Sequence, residues 1–270
     1  MKKLGIIGYG ALGKILCEGI RTHLPEDYRI TGILEQADAL KEEIRAAGYR
    51  ACDSFEELVD GPEETRPDMV IEIAGVPVVK LYSTEILKRG ISLVIVSIGA
   101  LADAALWAEI QRSAKEHHTK VYLPSGAVGG FDILRTIHEM GGAEAEILNL
   151  KAPRSLNGAP YLNGRNLSAE QEENVFEGNA LEAIAGFPKN VNVAVSSGLA
   201  SVGVENMGVK IRSIPGLEDN IHAITCQNDS VKAEITITSK PDPVNPKSSI
   251  VTAWSVVAML RNLTSPVEFF

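Results

Sequence analysis

Three glycines, Gly8, Gly10 and Gly13, are spaced as GxGxxG directly after a strand-like run from Lys2 to Ile7. They open onto apolar residues at helical spacing, Leu12, Ile15, Leu16 and Ile20. In that context each glycine serves differently. Gly8 allows a tight turn, Gly10 lets backbone approach a pyrophosphate, and Gly13 lets the helix lie close to the strand. The phosphates would then meet N–H groups at the positive end of the helix, around Ala11 and Leu12. Glu35 ends a second apolar run at the offset of roughly 20 residues where a ribose-binding carboxylate is expected. A carboxylate there accepts ribose hydroxyls and repels a 2′-phosphate, and Gln36 rather than arginine follows it. The spacing predicts dinucleotide binding with NAD preferred and NADP possible.

Other candidates lie downstream. Ser97-Ile98-Gly99 and Ser125-Gly126-Ala127 each follow a strand-like run, and such small residues let a flat ring approach backbone. His222 is a candidate base, because an imidazole ordinarily titrates near ~6.5. It reads as the loop-to-strand junction after Asn220, where a strand histidine held by a backbone carbonyl is the alternative. His117 and His118 fall at a helix end, His23 near another, and His138 within a helix; none suggests a metal site. Asn192, read as mid-helix, could offer its amide to a nicotinamide carboxamide or a substrate amine. Lys247, beside Ser248 and Ser249 at the expected start of the last helix, could hold an anion. Lys151, Arg154, Arg165 and Lys189 are further cations that could do so.

The elements that must position these residues fall into two patterns. Strand-like runs at Leu4–Ile7, Ile30–Leu34, Met69–Ile73, Leu93–Val96 and Val121–Leu123 alternate with helical stretches at Ala37–Ala47, Ser54–Val59, Val78–Arg89 and Asp103–Glu116. Near-continuous apolar strands between amphipathic helices predict a Rossmann-type parallel sheet over residues 1–124. After Pro124, a helix at Phe131–Met140 precedes alternating runs at Ile147–Lys151, Val209–Ile214, Ile221–Gln227 and Val231–Thr238. These predict an α+β domain, mainly antiparallel, over 125–248. Helices are expected at Ala169–Phe176, Ala180–Gly186 and Asn190–Ser201. The apolar helix within 249–270 should return to complete the first domain, and the active site is expected where the two domains meet. Trp107 and Trp254 read as core or interface packing.

Composition narrows the classes. The 270 residues carry a net charge of -9 and no basic stripe, which argues against nucleic acid. No run is long enough to span a membrane, and the chain enters a strand at once with no signal peptide expected. The three cysteines, Cys17, Cys52 and Cys226, lack metal-ligand spacing and read as small buried residues in a reducing cytoplasm.

Four blocks in order resemble the L-aspartate dehydrogenase family: Val96–Asp103, Leu123–Gly130, Gly186–Ala194 and Asn245–Ser249. The likeness spans essentially the whole chain and departs from the family at Val79–Tyr82, Ala152 and Ser155. The resemblance implies NAD(P)-dependent, reversible oxidative deamination of L-aspartate to iminoaspartate, which can feed NAD biosynthesis. It further implies His222 as the catalytic residue, Ala127 and Asn192 as cofactor contacts near the nicotinamide, and a homodimer. Two other readings keep a dinucleotide site: an oxidoreductase of the homoserine dehydrogenase or dihydrodipicolinate reductase type, or a sensor that binds NAD(H) without turnover.

Overall fold

The computed structural model describes residues 1–188, 191–240 and 249–269. The chain divides into two compact units, one of Met1–Pro124 with Thr252–Phe269, the other of Ser125–Val251. In the first unit, β1 (Lys2–Ile7), β2 (Tyr28–Leu34), β3 (Ala51–Cys52), β4 (Met69–Glu72), β5 (Ser92–Ile95) and β6 (Val121–Tyr122) form one sheet in the order β3-β2-β1-β4-β5-β6. Every pairing is parallel. Between the strands run α1 (Ala11–His23), α2 (Asp38–Ala46), α3 (Phe55–Val59), α4 (Val76–Lys88) and α5 (Ala104–Glu116). Strand order reverses at β1, which pairs with both β2 and β4, so the crevice for a ligand opens where β1 and β4 end.

The two central strands carry apolar runs, Leu4–Ile7 and Met69–Ile71, because a parallel sheet is covered on both faces. β1 and β4 bury Leu4, Ile6, Val70 and Ile71 completely. The last helix supplies part of that cover, since its Ala253, Val256, Val257 and Leu260 join one core with Leu16, Cys17 and Ile20 of α1. The approach is close: a Cβ at Gly19 would come within 2.9 Å of Val257. The Tyr28 hydroxyl also donates to the Leu260 carbonyl at 2.9 Å. Trp254, read as core or interface packing, is not in the core: it is 41% exposed with its ring edge-on to His23.

The second unit opens with α6 (Phe131–Glu139), β7 (Glu144–Lys151) and the short α7 (Pro153–Leu156), followed by β8 (Glu173–Asn179), α8 (Ala180–Gly186) and α9 (Asn192–Leu199). It closes with β9 (Gly208–Ser213), β10 (Asn220–Gln227) and β11 (Lys232–Ser239), before α10 (Val251–Asn262). The sheet runs β11-β10-β7-β9-β8, antiparallel except for the parallel β7–β9 pair. One expected helix is a strand. Over Ala169–Phe176 the Ser168 hydroxyl accepts the Glu170 and Gln171 N–H groups, closing a turn that does not propagate. The chain then pairs with β9 from Glu173 onward and buries Val175 and Phe176. Tertiary pairing outweighs the modest helix preference of that acidic stretch.

The three cysteines are free and buried. Burial raises the Cys17 thiol to about 12 and Cys52 to about 11, so both remain protonated packing groups.

Candidate active site

In the first unit, the glycine turn sits at the carboxyl end of β1. Gly8 has φ +106°, and a Cβ there would meet Ala74 at 2.9 Å, so conformation and space both exclude a side chain. At Gly13 a Cβ would overlap the Gly8 carbonyl, whereas nothing lies within 4 Å of one at Gly10. The cradle is thus closed behind the turn and open in front of it. Gly10 is the N-cap of α1, with no side-chain cap and no acid in the first turn. Its N–H groups, around Ala11 and Leu12, suit an anion. Glu35 faces this turn: Oε2 accepts the Tyr9 N–H at 2.9 Å, while Oε1 accepts Gln36 at 2.8 Å and Ala37 at 3.2 Å. The carboxylate therefore holds the turn to the end of β2. Its bonds leave acceptor capacity for hydroxyls, since two carboxylate oxygens offer about four lone-pair sites. These residues fit a dinucleotide.

One residue of this edge escapes a reading of the sequence. Glu72, the last residue of β4, is 2% exposed and accepts four hydrogen bonds. They come from Ala74 N–H (2.8 Å), Gly75 N–H (2.7 Å), Ser97 N–H (3.0 Å) and Ser97 Oγ (2.8 Å). Burial pushes its carboxyl above the ordinary range while those donors pull it back. Glu72 clamps the loops after β4 and β5 together, including Ser97 and, in the turn that follows, the buried Gly99. The available signal was an acid ending an apolar strand just before Ala74-Gly75.

In the second unit, Ser125-Gly126-Ala127 forms a turn closed by Val128 N–H on the Ser125 carbonyl at 3.4 Å, ahead of α6. Asn192 is the first residue of α9 rather than mid-helix, and α9 lies against β7. His222 is the third residue of β10, inside the strand rather than at its entrance, because pairing extends back to Asn220. It is 3% exposed, and Nδ1 lies 2.6 Å from Oδ1 of Asn149, its register partner on β7. With Nδ1–H donating to that oxygen, Nε2 carries the lone pair. Burial, and secondarily the Lys151 charge, lower the imidazole to about 3, so it is neutral at ordinary pH.

Lys151 ends β7 on the same face and is 5% exposed. Its ammonium donates to Asn220 Oδ1 at 3.2 Å, and burial alone pulls it down to about 8. Of the other cations, Arg165 pairs with Glu173 at 2.6 Å and Arg154 lies in α7. Lys189, Lys247 and Ser248 lie outside the described residues. A groove of about 610 Å³ at the opposite end of these strands includes Glu144, Glu146, Thr225 and Gln227, the wrong charge for an acidic substrate. Among the described residues no cluster of three or more His, Cys, Asp or Glu could hold a metal, and no helix is long and apolar enough to cross a membrane.

Comparison with known proteins follows the same division. Residues 8–124 match the family model "Homoserine dehydrogenase, NAD binding domain", and residues 132–263 match "Aspartate dehydrogenase, C-terminal". The chain is 33% identical to an L-aspartate dehydrogenase of Methanosarcina mazei and 34% identical to that of Methanosarcina acetivorans, covering 99% of each partner and of itself. It superposes on the aspartate dehydrogenase of Thermotoga maritima with a TM-score of 0.78 at 30% identity, covering 100% of both chains. A homoserine dehydrogenase from a hyperthermophilic archaeon, at 14% identity and a TM-score of 0.57, shares the fold.

Proposed function

This chain belongs to the aspartate dehydrogenase family, and from that premise we propose that it catalyses the NAD(P)-dependent, reversible oxidative deamination of L-aspartate to iminoaspartate. The full-length match to L-aspartate dehydrogenases carries the reading, since it spans both the dinucleotide-binding half and the half that holds His222. Bound nicotinamide cofactor supplies the hydride acceptor. The protein contributes the rest. Gly8, Gly10, Ala11, Leu12 and Gly13 cradle the pyrophosphate, Glu35 takes the ribose hydroxyls, and Ser97 and Gly99 line the loop after β5. Ala127 and Asn192 contact the nicotinamide end, and Asn192, Lys247 and Ser248 contribute to substrate binding.

His222 holds or accepts a proton at Nε2. Asn149 fixes the tautomer by accepting the hydrogen bond from Nδ1–H, so the lone pair has one direction. The same reading includes NAD preferred over NADP through Glu35, a cytoplasmic homodimer assembled through the second unit, and iminoaspartate supplied to NAD biosynthesis. The test is formation of reduced nicotinamide with L-aspartate, homoserine and other amino acids, each with NAD and with NADP. Turnover selective for aspartate supports the proposal. Turnover on homoserine alone, or tight NADH binding with no turnover, refutes it. A clear NADP preference refutes the role given to Glu35.

A further inference from the structure

A row of polar side chains crosses the buried face of the second sheet where β7 ends. Ser213 of β9 pairs in register with Lys151 of β7. Lys151, one position past the Leu150–Ile221 pair, reaches Asn220 of β10. Asn220 pairs with Ser239 of β11, whose hydroxyl meets that of Ser249 at 3.3 Å. The adjoining row is Ile211, Asn149, His222 and Ile237. All five residues of the polar row are under a tenth exposed.

Such a row is costly unless its polar groups find partners. Here and in the adjoining row the match is incomplete. Lys151 makes a single hydrogen bond, to a neutral amide, and no ion pair among the described residues. The Ser213 hydroxyl and the Asn149 Nδ2 are buried without a hydrogen-bond partner. Glu173 stands opposite Ser213 on β8, yet its carboxylate is taken by Arg165 at 2.6 Å and by the Ser168 N–H at 2.6 Å. What the row lacks is one negative charge with several acceptor lone pairs.

We propose that Ser213, Lys151, Asn220 and Ser239 form the subsite that receives a carboxylate of the amino-acid substrate, with Lys151 as its cation. This rests on the reading of the chain as an amino-acid dehydrogenase. A carboxylate accepts from the ammonium and the serine hydroxyls at once, and an ionised acceptor strengthens each bond. It also places the substrate beside His222, whose lone pair the next row presents. The same anion cancels the cation that disfavours protonation of His222, so the base gains strength when substrate arrives.

The test uses the full chain as wild type, Lys151→Met and Lys151→Gln, with succinate as a non-reacting probe titrated into the NADH complex. Both variants should weaken succinate, and raise KM for L-aspartate, by about 100-fold, as expected when one partner of a buried charge pair is removed. NADH affinity and the circular dichroism spectrum should stay as in wild type. Unchanged succinate affinity in either folded variant overturns the proposal, as does loss of NADH affinity equal to the loss for succinate. Failure of the family reading shows separately, as wild-type protein that binds succinate but does not oxidise aspartate.

Discussion

Lys151→Met should make the ligand-free protein more stable at neutral pH, and the gain should vanish in alkali. An ordinary lysine titrates at 10.5, while burial brings Lys151 to about 8. At about 1.36 kcal/mol per pH unit, holding this ammonium charged in the folded state costs about 3 kcal/mol at pH 7. Between pH 8 and 10.5 the unfolded chain keeps the proton that the folded protein has lost. Stability attributable to this group therefore rises across that window and is constant below it. Methionine keeps the length of the apolar stem and removes the charge. It also leaves the Asn220 Oδ1 without its donor, which costs about 1 kcal/mol. The net gain is about 2 kcal/mol at pH 7, or about 4–8 °C in Tm for a chain near this size. Thermal melts of both proteins at pH 7 and pH 10.5, followed by circular dichroism, measure the difference directly. Comparing the two proteins at each pH cancels every group they share. A variant less stable at pH 7, or a difference independent of pH, would refute the idea that Lys151 is an uncompensated buried cation. A gain in stability together with a loss of substrate affinity is what a binding residue predicts and a structural one does not.

Replacing His222 with Gln should lower kcat by about 10²–10⁴ with NADH affinity retained, read by steady-state kinetics and fluorescence titration. Because the folded imidazole titrates near 3 and the ordinary one at 6.5, the unfolded chain binds the extra proton between those values. Wild-type stability should therefore fall as pH drops from 6.5 toward 3, and His222→Gln should fall less in urea melts. Gly8→Ala meets both the +106° φ and the Ala74 contact, so it should cost about 1–3 kcal/mol and weaken NADH by at least tenfold. Glu72→Gln keeps one acceptor oxygen for the three donors on Oε1 but turns an amide N–H toward the Ser97 N–H that Oε2 now accepts. It should cost about 1–3 kcal/mol in denaturant melts and raise the NADH Kd while leaving succinate affinity, measured with saturating NADH, unchanged.

The first unit was largely legible from its residues, because what defines it is local. A glycine turn, the strand before it and the helix after it lie within about twenty residues, and Glu35 follows at a fixed offset. Strand and helix boundaries there fall within a few residues of those read from apolar spacing, with only the two-residue β3 missed. Glu72 stayed hidden because a single acid inside an apolar run carries no sign of whether it ends a strand at the surface or accepts buried N–H groups. The second unit was harder. Ala169–Phe176 has enough acidic and alanine residues to pass for a helix, and only its pairing with β9 makes it a strand. His222 and Asn192 were placed within a few residues of their positions but on the wrong part of their elements.

Residue types and spacing alone showed a glycine turn of dinucleotide-binding form at Gly8–Gly13 and a chain that resembles the aspartate dehydrogenases. Tertiary structure decided which of them meet. Asn149 and His222 lie 73 residues apart, and Lys151 and Asn220 lie 69 apart. Each pair exists only because β7 and β10 align in one register. A slip of one residue in either strand would turn that strand's members of the two rows to the opposite face. Register is fixed by the whole sheet and the core beneath it, which is why Lys151, one of several candidate cations in the sequence, is a buried charge whose field reaches the imidazole.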